Sequence, residues 1–240
     1  ALSVSNNDAN DLERMALRGQ LQWQPTDALS VRLLAGATDE DDDTMTPDTY
    51  IEPGGPAATA GALLRQAGLA ETCSSNDPLD RELCARVPNT TDLQSREATL
   101  LVDYTLGNDW TVPSVSSWDW FKFKGTSDDI VQLASPLLKF HDTQEGESWQ
   151  QELRLASAGG ETVDWLTGVF WYQNTFKRGD DGDRPIYLED TYSAHPVPKL
   201  LLQRLLGRAV PFAAPGQNGL LDAQQDTDYL GVFGQATWNL

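Results

Sequence analysis

Two cysteines, two histidines and a short aspartate run are the residues of this chain that bear most directly on chemistry. Cys73 and Cys84 stand eleven positions apart in a polar stretch, and neither belongs to a Cys-x-x-Cys pair. With only His141 and His195 to join them, they lack the ligand spacing of a zinc site. Spacing and setting predict a loop disulfide made in an oxidising compartment. The alternative is two unpaired thiols on either side of a short helix. Asp180, Asp181 and Asp183 surround Gly182 and are weak candidates for a Ca²⁺ loop, because no Glu stands at the closing position. His141, between Phe140 and Asp142, reads as a solvated loop residue. No GxSxG, HExxH or P-loop pattern occurs, and nothing ties Ser, His and Asp together. No catalytic residue is assigned, and the chain reads as a non-enzyme. A weakly bound Ca²⁺ in the loops is the one cofactor left open.

The elements that carry these residues follow from composition and patterning. The chain has 240 residues, with Asp+Glu 36 against Lys+Arg 17 and a formal charge of −19. Nucleic acid is excluded as a partner, since phosphate neutralisation needs a basic footprint. Mean hydropathy is −0.43, and no apolar run is long enough for a membrane helix. The apolar stretches and 8 tryptophans are too many for a disordered acidic chain. A membrane β-barrel stays open, because its strands merely alternate.

Period-two alternation marks three hairpins and a last strand. The first hairpin pairs Glu13–Gln24 with Ala28–Ala37 across a turn at Pro25-Thr26-Asp27. Leu17, Leu21 and Trp23 share one face, opposite Arg18, Gln20 and Gln22. Leu29, Val31, Leu33 and Ala35 likewise oppose Ser30 and Arg32. The second hairpin pairs Ser95–Leu106 with Trp110–Lys122, whose faces the alternation does not assign and whose Pro113 is awkward in a ladder. The third pairs Glu147–Ser157 with Thr162–Thr175, the latter apolar on both faces. The last strand is Asp228–Leu240.

Long connections separate these hairpins, about 38–94, 123–146 and 176–227. The first begins with the acidic run Asp39–Asp43, read as a solvated loop tip. Short helices are expected over Ala57–Ala70 and Leu79–Arg86, and an amphipathic one over Pro198–Arg208. Short turns on one side and long connections on the other are the arrangement of an outer-membrane barrel. Strands of about 9–11 residues suffice to cross, and aromatics near strand ends suit interfacial girdles. The fold class expected is all-β: an antiparallel transmembrane β-barrel segment of about seven strands, with long loops carrying short helices. Both ends of the chain read as cut, so a piece of a longer protein is expected.

Three stretches carry a resemblance: RGQLQWQPTDALSVRL from Arg18, SWQQELRLASAGGETVDWLTGVFWYQ from Ser148, and YLGVFGQATWNL from Tyr229. In this order they are similar to segments of TonB-dependent outer-membrane receptors. Gln150 stands where Ser is commoner in that family, and Trp171-Tyr172 replaces the usual Phe/Tyr pair. The long loops match nothing in the family pattern. The resemblance implies residence in the outer membrane of a Gram-negative bacterium. It implies a 22-stranded barrel with a plug domain and an inner-membrane energising complex as partners. No plug-like region is evident, and seven strands make roughly a third of such a wall.

The implied function is a segment of an energy-coupled receptor. It would take up a scarce solute such as a siderophore–iron complex, cobalamin or an oligosaccharide. Arg18, Gln20, Arg32, Asp103, Glu152 and Arg154 are then the lumen-facing candidates. Leu21, Val31, Leu33, Leu100, Val102, Leu153 and Val232 are the lipid-facing ones. Lipid bilayer and lipopolysaccharide are the surrounding partners, and the acidic loops either keep the rim solvated or steer a cationic solute. Two alternatives stand beside this reading. One is a soluble secreted carbohydrate-binding β protein, the other a glycoside hydrolase with paired carboxylates.

Overall fold

The alternation read in the sequence becomes strands longer than it predicts. The structure, a computed structural model, describes residues 12–42, 56–68, 90–127, 139–160, 162–179, 186–187, 196–197, 200, 203–204, 207 and 222–239. Cys73, Cys84, Asp180, Asp181, Asp183, His195 and the helix expected over Leu79–Arg86 lie outside the described residues.

Among the described residues the elements in chain order are β1 (Leu12–Thr26), β2 (Leu29–Asp42), α1 (Pro56–Gln66), β3 (Thr90–Thr105), β4 (Thr111–Ser127), β5 (Lys139–Ala156), β6 (Val163–Arg178), β7 (Ile186–Tyr187) and β8 (Ala223–Trp238). Seven form one open antiparallel sheet in the order β1-β2-β3-β4-β5-β6-β8, and the two-residue β7 pairs with the start of β5. Among the described residues Leu64 of α1 is the one fully buried large side chain. Among the described residues no second layer supplies a core to the sheet, as a sandwich would require.

Turn chemistry sets the short side. Thr26 pairs with Leu29 after a register shift that absorbs Gln24 and Pro25, so the tight turn is Asp27-Ala28. Asp109 takes a left-handed φ of 63° between β3 and β4, a conformation Asp tolerates. Gly159 and Gly160, with φ 82° and 77°, turn β5 into β6. Pro113 keeps its partner Asp103 on β3, while the β4–β5 ladder skips Val112 and Pro113. The missing N–H falls where no bond is made.

On the long side the strands outrun the expected boundaries. Asp39–Asp42 are not a loop tip: they pair with Thr91–Gln94 of β3 and with Leu12–Met15 of β1. His141 likewise lies in β5, opposite Thr126, rather than in a loop. The helix expected over Ala57–Ala70 is the shorter α1, opened by Pro56 and followed by the left-handed Gly68 (φ 72°). In the Leu-rich piece, Leu200, Gln203 and Arg204 are helical.

Candidate functional site

The site is the sheet itself, because its two faces differ in kind. Along β6, Thr167, Val169, Trp171 and Gln173 are exposed, while Leu166, Gly168, Phe170 and Tyr172 are half-buried. On β6 the face of Phe170 is thus the more enclosed, as the concave side of a curved sheet would be. Cross-strand register carries this assignment to every strand. Trp23, Val31, Val102, Ser114, Leu153, Val169 and Val232 form one convex row. Leu21, Leu33, Leu100, Ser116, Gln151, Trp171 and Leu230 form the next. All seven residues expected to face lipid fall in these two rows. Arg18, Gln20, Arg32, Asp103, Glu152 and Arg154 all fall on the concave face.

Aromatic residues define two levels on the convex face. Relative to the row of Trp23, Tyr104 lies two positions nearer the short turns, Trp110 and Trp165 four, and Trp238 six. That is a drift of about one residue per strand. With a rise of about 3.3 Å and a strand spacing of about 4.8 Å, such a drift is a strand tilt of about 35° if these rings share one plane. Trp110 and Trp165 meet edge to face at 4.9 Å. On the other side Trp118 and Trp149 approach at 6.1 Å, with Trp171 near their level. Allowing for the drift, the two levels stand about eight residues apart along the strands, or about 22 Å in height. An outer-membrane apolar band is about 25 Å tall between its aromatic girdles.

Among the described residues, no charged side chain stands on the convex face between these levels. The first, Arg96 and Asp39, sit at the upper level and pair with each other at 2.8 Å. Just above, Glu147 accepts the indole N–H of Trp118 at 2.8 Å, and Glu145 that of Trp120 at 2.9 Å. Polar groups inside the band are satisfied locally. Gln151 donates to Ser114 Oγ at 3.0 Å and accepts from Ser116. Thr167 donates to the carbonyl of Phe233 at 3.1 Å. In a bilayer such groups would have no partner but the protein itself.

The concave face at the same height carries Arg18, Arg32, Glu97, Asp103, Glu152 and Arg154. Glu152 and Arg154 pair along β5. Gln150 donates to Ser117 at 2.8 Å. Glu97 leans over Gly36, which has no side chain to block it. Toward the long connections Arg178 grips Asp142 with two bonds, 2.7 and 2.9 Å, and Asp142 is 8% exposed. This clamp joins β6 to β5 beyond the band.

Sequence reading missed the sorting of aromatic types. Every described strand Trp faces the convex side, and Phe121, Phe123, Phe170, Phe176 and Phe233 all face the concave side. The signal lay in the glycines. Phe121 lies over Gly146 and Phe233 over Gly168, so each ring fills the space of an absent side chain on the next strand. No group of three or more potential metal ligands occurs among the described residues. No helix there is long and apolar enough to cross a membrane.

No family model matches the chain, and no curated protein matches its sequence. Among solved structures, it is similar to the ferric yersiniabactin uptake receptor FyuA from Yersinia pestis, at 16% identity over 70% of this chain and 22% of that one, with a TM-score of 0.45. It is also similar to the RagAB peptide importer in its closed-closed state, at 10% identity over 95% of this chain and 26% of that one, TM-score 0.45. A further structure of the RagAB peptide transporter gives 10% identity and a TM-score of 0.46. The chain spans about a quarter of the solved chains it resembles. At these values the likeness does not bear on function, which has to be argued from the sheet.

Proposed function

We propose that this sheet is part of the wall of an outer-membrane β-barrel through which a solute is taken up. The observation that carries the reading is the convex band, free of charge among the described residues and bounded by two aromatic levels. The concave face holds six charged groups at the same height. A face in water gains nothing from excluding charge so sharply, whereas a charge in lipid is costly. The unpaired edges of β1 and β8 would be costly in lipid too, so further strands are expected to pair with them in the closed wall.

Within this reading the concave face lines a lumen. The sequence resemblance supports an energy-coupled receptor in a Gram-negative outer membrane, with a plug domain and an inner-membrane complex as its partners. Its cargo would be a siderophore–iron complex, cobalamin or an oligosaccharide. Function is then binding and gated passage, with no covalent chemistry asked of the wall. A soluble carbohydrate-binding protein would bury one sheet face, and here Leu21, Trp23, Leu230 and Val232 stay 59–80% exposed.

Spin labels in the intact protein in liposomes test the reading. Labels at Leu21, Leu33, Leu100 and Val232 should be relaxed by oxygen, which concentrates in lipid. Labels at Gln20, Arg32 and Thr99 should be relaxed by a water-soluble nickel chelate. Equal chelate access to both sets would overturn it.

A further inference from the structure

The concave face is divided. Over β1, β2 and β3 its described positions carry no aromatic ring, while β4, β6 and β8 carry two groups of rings, separated on β6 by Asn174. Phe121 lies 6.4 Å from Phe176 across β5. Tyr172 stands directly opposite Tyr229, and Tyr229 is 5.9 Å from Phe170. Phe233, seated over Gly168, continues the second group toward mid-wall. The strip thus runs from the side of the long connections down into the band.

Placement against residue type gives the strip its meaning. An indole offers an N–H and suits an interface, which is where the tryptophans stand. Phenylalanine has no polar atom, and a water-filled passage gives it nothing to bond. Rings packed over glycine are held against the backbone, so they stay ordered without a ligand and offer a preformed apolar surface. Gln150, Asn174 and Gln235 border them on the same face and supply amide groups for a polar edge.

The geometry points to a binding track for a solute bearing a planar aryl ring with polar substituents. The ring would stack first on Phe121 and Phe176 and then, about 13 Å further along β6, on Tyr172, Tyr229 and Phe170 as the solute descends. Within each group, rings about 6 Å apart present one aryl-sized surface, and stacking is an attraction that each partner can release. The inference rests on the concave face being a lumen, and it narrows the cargo from any scarce solute to an aryl-bearing one.

The test uses 2-naphthol as probe and the intact protein in liposomes, with protein-free liposomes measuring partition into lipid. Saturable binding beyond partition is expected. Phe121→Leu and Phe176→Leu, which keep an apolar side chain over the neighbouring strand, should each weaken it about two- to tenfold. Trp118→Leu on the convex face should leave it unchanged. No saturable binding, or binding indifferent to both Phe variants, would overturn the track. Maltoheptaose or an apolar tetrapeptide binding where naphthol does not would assign the strip to sugar or to polypeptide, and also overturn it. The spin-label pattern is read on the same sample. An intact pattern with no naphthol binding sinks the track alone, and a lost pattern sinks the lumen itself.

Discussion

Gln151 donates its side-chain amide to Ser114 Oγ at 3.0 Å and accepts a hydrogen bond from Ser116, so three polar side chains on the apolar convex face satisfy one another. Their strands, β4 and β5, are neighbours. The triad sits between the two aromatic levels, where lipid would leave any orphaned group unpaired. Breaking it from the two sides should give different results. Gln151→Leu removes the amide and adds apolar surface, and is expected to leave stability unchanged or higher. Ser114→Ala with Ser116→Ala leaves the amide oxygen without a donor and the amide N–H with only the Glu152 carbonyl at 3.2 Å, at a cost of about 1–3 kcal/mol. Urea unfolding of the protein in lipid vesicles measures both. A double variant as stable as the parent would remove the bilayer from this part of the wall.

Val31 and Leu33 lie on the convex face with Arg32 between them on the concave one. An arginine near the lipid midplane costs about 2–4 kcal/mol, whereas lumen positions tolerate change. Leu33→Arg should therefore impair barrel assembly strongly and Val31→Arg, nearer the short turns, somewhat less. Arg32→Gln should assemble normally. Heat-modifiable gel mobility of the intact protein reads the folded fraction. The reverse ranking would invert both faces of β2.

Gly146 and Gly168 are the seats of Phe121 and Phe233, and a methyl group at Gly168 would also meet the carbonyl of Leu153 at 2.9 Å. Overpacking of this kind costs about 1–3 kcal/mol. Gly168→Ala is expected to be worse than Gly146→Ala, because backbone cannot move aside as a ring can. At Gly19 a methyl group would meet nothing within 4 Å, so Ala should be accepted there without loss. Midpoints of urea unfolding give the order, and equal losses at all three would show that the rings do not sit on these glycines.

The alternation of Leu17 to Gln24 and of Leu29 to Ala37, with turn residues between them, was enough to specify a hairpin. Side chains on a strand alternate by necessity, and one face of this hairpin is apolar throughout. The same held for β3 and β8. Two things escaped it. On β4, Ser114 and Ser116 stand on the apolar face and Val115 and Phe121 on the other, so local pattern and true face disagree. On β6, Leu166 and Phe170 are as apolar as Trp165 and Val169. Only hydrogen-bonded register with β3 and β5 assigns those faces, because polarity is answered by partners from other strands: Gln151 for the serines, the space over Gly146 and Gly168 for the rings. The acidic run Asp39–Asp42 misled for a related reason. Its composition suits a loop, but pairing on both sides holds it in the sheet, and Arg96 reaches Asp39 from 57 positions away in the chain. Sequence thus settled strand, turn and charge, which depend on near neighbours. Tertiary structure alone decided which face the residues of β4 and β6 joined, because that depends on a strand pairing that the local pattern of these two strands does not encode.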